Sequence, residues 1–261
     1  MQTPIVKVII GHRRVGKSYI LYQLINEIRN KEHDANIIYI NKEDVAYVDI
    51  VSSKDLHDYI ATRLMSKRRN YIFIDEIQEI EDFKVAIRSL ALNDSNDIYI
   101  TGSNSEMFSS DLANELGGRY VEFKIYSLSY MEFLDFHKLN NDDESLEKYN
   151  RFGGLPYLIH LPMREEVVME YIRSVYSTIV LRDVVARNNI RNTAFLEQLI
   201  RFLADNIGSL FSSKSISDFL KSQNIRMSPT LVSEYADSLA SAFVVHRIER
   251  YDIIGKRLFE R

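Results

Sequence analysis

Lys17 and Ser18 close the run Gly11-His12-Arg13-Arg14-Val15-Gly16-Lys17-Ser18, which fills every fixed position of a phosphate-binding loop. In that arrangement the Lys17 ammonium reaches the β- and γ-phosphate oxygens of a nucleoside triphosphate, and the Ser18 hydroxyl ligates the Mg²⁺ that bridges them. Gly11 and Gly16 let the backbone approach without a Cβ, so that N–H groups form a nest for the anion. Gly11, Arg14, Val15, Gly16, Lys17, Ser18 and Tyr19 are the candidate cradle for ATP or ADP. A second cluster, Asp75-Glu76, ends the apolar run Tyr71-Ile72-Phe73-Ile74. Asp75 can hold the metal, and Glu76 can polarise a water for attack on the γ-phosphate. That second carboxylate favours hydrolysis over transfer to a bound acceptor, the chemistry of P-loop kinases.

Three further positions each have two readings. Ser103 and Asn104, in Thr101-Gly102-Ser103-Asn104, can sense the γ-phosphate or orient the water, or can serve as ordinary turn and helix-capping residues. Arg119, after Gly117-Gly118, is a candidate arginine finger for a neighbouring subunit's nucleotide, or a surface residue beside a helix-capping glycine. Gly154 and Pro156, in Gly153-Gly154-Leu155-Pro156, can lay a proline ring against adenine, or can form a plain turn before a helix.

The elements that must position these groups are legible as alternating patterns. An apolar run from Ile5 to Ile10 precedes the loop, and Ile20, Leu21, Leu24, Ile25 and Ile28 follow at helical spacing. Apolar runs at Ile37–Ile40, Tyr71–Ile74 and Ile98–Thr101, and alternation at Val121, Phe123 and Ile125, predict four more strands. Helical spacing appears at Leu56, Ile60 and Leu64, over Phe83–Leu92, and over Glu106–Leu116. The fold class this predicts is α/β: a P-loop parallel sheet wrapped by helices, with ligands at the carboxyl ends of the strands. The acidic segment Lys138–Lys148 reads as a linker or as a surface loop, and Leu155–Arg187 reads as helical. Three amphipathic helices then follow, marked by Phe195 and Leu199, by Ile216 and Leu220, and by Leu231 and Tyr235. With strands at Phe243–Ile248 and Lys256–Phe259 they would form a winged helix.

Composition limits the partners. The 261 residues carry a formal net charge of −4, so no global basic field draws nucleic acid or anionic membrane. The absence of cysteine excludes disulfides, thiolate metal sites and cysteine nucleophiles, and agrees with a reducing cytoplasm. No signal peptide or membrane-length apolar run is present, and the six histidines show no metal-binding spacing. The expected location is cytoplasmic. After Arg187 the chain is mildly basic, yet Ser228–Ala242, the helix that would enter a DNA groove, holds Glu234 and Asp237 and no Lys or Arg. Arg247, Arg250, Lys256 and Arg257 are the candidate phosphate contacts.

Taken together, GHRRVGKS, YIFIDE, TGSNS, GGR before a strand, GGLP and LRDVVARNNI resemble uncharacterised bacterial and archaeal ATPases of the AAA/STAND grouping, over nearly the whole chain. The resemblance implies an ATPase core over 1–137, a helical lid over 138–192 and a winged helix over 193–261. It implies that Gly154 and Pro156 contact adenine. Arg182 and Asp183 match the LRDVV stretch, to which it assigns no role. Relatives carry a short segment before the first strand, and longer ones continue into a restriction-endonuclease-like domain, so the winged-helix part is expected to be incomplete at its C-terminus. With no carboxylate-rich nuclease motif here, nuclease activity does not carry over. The expected activity is that of a slow Mg²⁺-dependent ATPase acting as a conformational switch, with nucleotide, other copies of the chain and DNA as candidate partners and no membrane. The alternative is a DNA-associated regulator that holds ATP or ADP and hydrolyses it negligibly.

Overall fold

The computed structural model describes residues 5–105, 115–223 and 225–248. The chain divides into two compact units, Met1–Ser177 and Thr178–Arg261. The first is built on five parallel strands: β1 (Val6–Ile10), β2 (Asn36–Asn41), β3 (Asn70–Asp75), β4 (Asn96–Gly102) and β5 (Tyr120–Lys124). Their order is β2-β3-β4-β1-β5, with α1 (Lys17–Lys31), α2 (Ser53–Ala61) and α3 (Phe83–Leu90) in the connections. The connection after β1 jumps to the far edge and the chain then steps back. This creates the reversal of strand order beside which ligands of open α/β sheets bind. β1, β3 and β4 are buried along their whole length, as their near-continuous apolar runs require, whereas the edge strands β2 and β5 are partly exposed.

Two polar devices lie inside this apolar sheet. The paired residues Asn36, Asn70 and Asn96 form a side-chain ladder at the amino ends of β2, β3 and β4. The Asn36 amide donates to Asn70 at 2.8 Å and Asn70 to Asn96 at 3.1 Å. Lys7, in the interior strand β1, is ion-paired with Asp97 of β4, the central strand, and both side chains are buried.

Beyond the sheet, α4 (Tyr130–His137) starts with a capping box made by Ser129 and Glu132. α5 (Asp143–Phe152) is capped by Asp142, and α6 (Glu165–Thr178) follows a short 3₁₀ turn over Pro156–His160. The segment 138–148, read as a linker or surface loop, is a short turn running directly into α5. Asp142, Asp143 and Glu144 occupy the N-cap and first turn, where the helix dipole and free N–H groups favour negative charge. α2 stops at Ala61, short of Leu64, and α3 stops at Leu90. Of the predicted helix over Glu106–Leu116 only Glu115 and Leu116 fall among the described residues, and both are helical.

The second unit opens with a π-helical stretch, Ile179–Ala186, and contains α7 (Thr193–Asp205), α8 (Ser213–Ser222) and α9 (Pro229–Ser241). Val184, Leu196, Leu199, Val232 and Leu239 are at the centre of its core. Residues 138–192, which the resemblance implies to be a helical lid, fall partly in each of these two units. The strand expected over Phe243–Ile248 does not form. Phe243 takes a left-handed φ of 60°, and the N–H of Val244 bonds back to Leu239 at 2.9 Å, so the chain is still turning off α9. Its predicted partner strand, Lys256–Phe259, lies outside the described residues. No described helix is long and apolar enough to cross a membrane.

Candidate functional site

The loop between β1 and α1 takes the conformation that its glycines permit. Gly16 has a φ of 100°, and a Cβ on Gly11 would lie 2.3 Å from the carbonyl oxygen of Ile125. Arg14 also takes a left-handed φ, 64°, with its side chain exposed. Val15 is buried against Gly11, Ser18 is half-buried in the first turn of α1, and Tyr19 is exposed with its edge on the Tyr22 ring. Lys17 is buried. Its Nζ donates to the carbonyls of Gly11 at 2.9 Å and His12 at 3.1 Å, and lies 3.5 Å from Glu76 Oε1. Burial holds the Lys17 ammonium below its usual range, although Glu76 and Asp75 oppose that shift.

Asp75 and Glu76 sit at the carboxyl end of β3, one strand removed from β1, and both are buried. Thr101, at the end of the intervening β4, serves both: its hydroxyl donates to Asp75 Oδ1 and accepts the Glu76 N–H at 2.9 Å. Glu76 takes a left-handed φ of 55°, a conformation that costs a non-glycine residue about 1–2 kcal/mol and that recurs at functional sites. Gln78 Nε2 donates to Glu76 Oε2 and, at 3.3 Å, to Ser103 Oγ. Burial pushes the Glu76 carboxyl up, but Lys17, the Gln78 hydrogen bond and Arg13 outweigh it and hold the pKa below the usual carboxylate range. Ser103 and Asn104 are buried immediately after β4.

Pro156 lies beside the loop, whereas Gly154 packs against the backbone of Leu128. Pro156 Cγ is 4.0 Å from the position a Gly16 Cβ would take, and a Cβ on Gly154 would lie 2.1 Å from the carbonyl oxygen of Leu128. The Leu128 N–H donates to the Gly154 carbonyl at 2.8 Å, and the Tyr149 hydroxyl to the Leu128 carbonyl at 2.9 Å. Gly154→Ala is expected to lower stability by about 1–3 kcal/mol, because the obstructing atom is backbone. An unchanged melting temperature would contradict this seating. Arg119 is exposed at the opposite end of the sheet. It precedes Tyr120, the partner of Val6, whereas the loop follows Ile10. The length of β1, roughly 15 Å, therefore separates it from its own chain's loop.

The oxygen donors Ser18 and Asp75 suit Mg²⁺, which takes one or two protein ligands beside phosphates and waters. No group of three or more His, Cys, Asp or Glu that could hold a metal occurs among the described residues. Of the candidate DNA contacts, Arg247 is paired with Asp237 of α9, and Arg250, Lys256 and Arg257 lie outside the described residues.

Sequence reasoning missed Tyr39, Gln78 and the role of Thr101. Tyr39 donates to Asp75 Oδ2 at 3.4 Å. The hydroxyl ending an apolar strand was a usable signal for Thr101. For Tyr39, part of an apolar run, none existed.

Residues 3–134 match the AAA domain family, and residues 143–259 match a domain of unknown function, DUF8612. An uncharacterised protein of Haemophilus influenzae is 36% identical over 97% of this chain and 64% of its own length. An uncharacterised protein of Methanocaldococcus jannaschii is 30% identical over 97% of this chain and 58% of its own. The chain thus spans about six-tenths of the length of these curated relatives. Among solved structures it is similar to Cdc6p from Pyrobaculum aerophilum, with 12% identity and a TM-score of 0.42 over 92% of this chain and 81% of that one.

Proposed function

The chain belongs to the AAA domain family, and from that premise we propose that it hydrolyses ATP slowly in a Mg²⁺-dependent reaction and works as a nucleotide-dependent conformational switch. The observation that carries this reading is the buried contact between Lys17 and Glu76, which joins a phosphate-binding cation to a carboxylate suited to activating water. Lys17 and the loop N–H groups bind the triphosphate, Ser18 and Asp75 hold Mg²⁺, and Glu76 accepts the proton of the attacking water. When bound, the metal neutralises charge on the phosphate oxygens. As Lys17 turns towards phosphate, Glu76 loses its cationic partner and becomes a better base. Ser103 and Asn104 orient the water. Arg119 completes the site of a second copy, a role supported by its distance from its own loop. Gly154 and Pro156 carry nucleotide occupancy into the helical part of the chain, which with the functional divisions at 137/138 and 192/193 forms the lid and the winged helix.

The pairing of Arg247 with Asp237, together with an α9 that lacks Lys and Arg, favours this reading over a DNA-associated regulator. Phosphate release from ATP, measured across protein concentration with Mg²⁺ and with a chelator, tests it. Metal-dependent release that rises more steeply than protein concentration is the expected result. Release at the buffer rate at every concentration would refute the hydrolytic reading.

A further inference from the structure

We propose that Tyr39 is a positioning residue for the carboxylate of Asp75 and that Tyr22 orients Tyr39, an inference that rests on the reading of Asp75 as a holder of Mg²⁺. Tyr39 pairs with Phe73 and Asn41 with Asp75 across β2 and β3, so Tyr39 and Asp75 project from one face of the sheet, two register positions apart. The Tyr39 hydroxyl lies 3.4 Å from Asp75 Oδ2 and 3.2 Å from the hydroxyl of Tyr22. A phenol has one hydrogen and an ionised carboxylate only accepts. Tyr39 therefore gives its hydrogen to Asp75 and accepts the hydrogen of Tyr22, which makes a directed chain.

Thr101 of β4 occupies the other oxygen, Oδ1. Two hydroxyls from the strands on either side of β3 thus fix the plane in which Asp75 offers its remaining lone pairs. Tyr39 is itself held. Its ring lies 5.5 Å from that of Tyr22, and its carbonyl accepts the Tyr47 hydroxyl at 2.9 Å. Tyr22 stands on α1, the helix that begins with Lys17 and Ser18, so the chain of hydroxyls ties the metal carboxylate to the phosphate-binding helix.

Titration of ATP binding against free Mg²⁺, with a chelator as the metal-free arm, tests this on the parent, Tyr39→Phe, Tyr22→Phe and the double variant. Thermal melting reports folding. Tyr39→Phe is expected to bind ATP in chelator as the parent does, and to need about five- to tenfold more Mg²⁺ for half of the metal-dependent gain. Tyr22→Phe should shift the same way by less, and the double variant should match Tyr39→Phe, because the hydroxyls act in series. A Tyr39→Phe curve that superimposes on the parent's overturns the proposal, as does a double variant whose shift is the product of the two single ones. A parent with no metal-dependent gain overturns the reading of Asp75 and the proposal with it. Should Tyr39→Phe fail to fold, Tyr22→Phe carries the test, and an unshifted curve for it overturns the proposal.

Discussion

Glu76→Gln is expected to leave ATP bound and to slow its hydrolysis by roughly 10²- to 10⁴-fold, the range for loss of a positioned general base. The substitution keeps the size of the side chain and an oxygen able to accept from Gln78, so the left-handed backbone and its bond to Thr101 have no reason to move. What disappears is the negative charge 3.5 Å from Lys17 and the capacity to take a proton. Removing that charge frees Lys17 for phosphate, so affinity for ATP should stay level or rise. Single-turnover phosphate release beside equilibrium ATP binding separates the two effects. Release within about threefold of the parent rate would remove Glu76 from the chemistry.

Asp97→Ala is expected to lower stability by about 3–5 kcal/mol, the range for breaking a buried ion pair by removing one partner. Lys7 and Asp97 are 2% and 0% exposed in the middle of the sheet, and Arg69 lies 3.7 Å from the other Asp97 oxygen. The Lys7 ammonium is 5.2 Å from the centre of the Tyr99 ring, a contact of about 0.5–2 kcal/mol that cannot replace the carboxylate. Replacing both charges, as in Lys7→Met with Asp97→Val, should regain most of the loss, because desolvation is then no longer opposed to folding. Urea unfolding of the three proteins checks this. A loss below about 1 kcal/mol for Asp97→Ala would show that the pair contributes little to the sheet.

The same pair marks the limit of what the chain discloses by itself. Val6 to Ile10 is legible as a strand because apolar residues surround Lys7, but nothing in the local pattern says that the lysine is inside or that its partner is ninety residues away. The loop over Gly11–Ser18 and the Asp75-Glu76 pair are legible because their chemistry is encoded in adjacent residues. The order β2-β3-β4-β1-β5 is not, and only that order puts β4 with its Thr101 between β1, which leads into the loop, and β3, which ends in the carboxylates. Polarity misled at 138–148, where acids that look like a solvated linker cap and charge the start of a helix. An apolar run misled at Phe243–Ile248, where Phe243, Val244 and Val245 suit a strand but the backbone at Phe243 and Val244 is still leaving α9.

Equilibrium binding of ATP in Mg²⁺ to the parent and to Lys17→Ala decides whether the loop over Gly11–Ser18 holds a nucleoside triphosphate. Saturable binding by the parent is expected, with a loss of about 10- to 100-fold in affinity for the variant, because a charged donor to phosphate is removed. A parent that binds no ATP, or a Lys17→Ala protein that binds it equally well, would rule out nucleotide binding through Lys17.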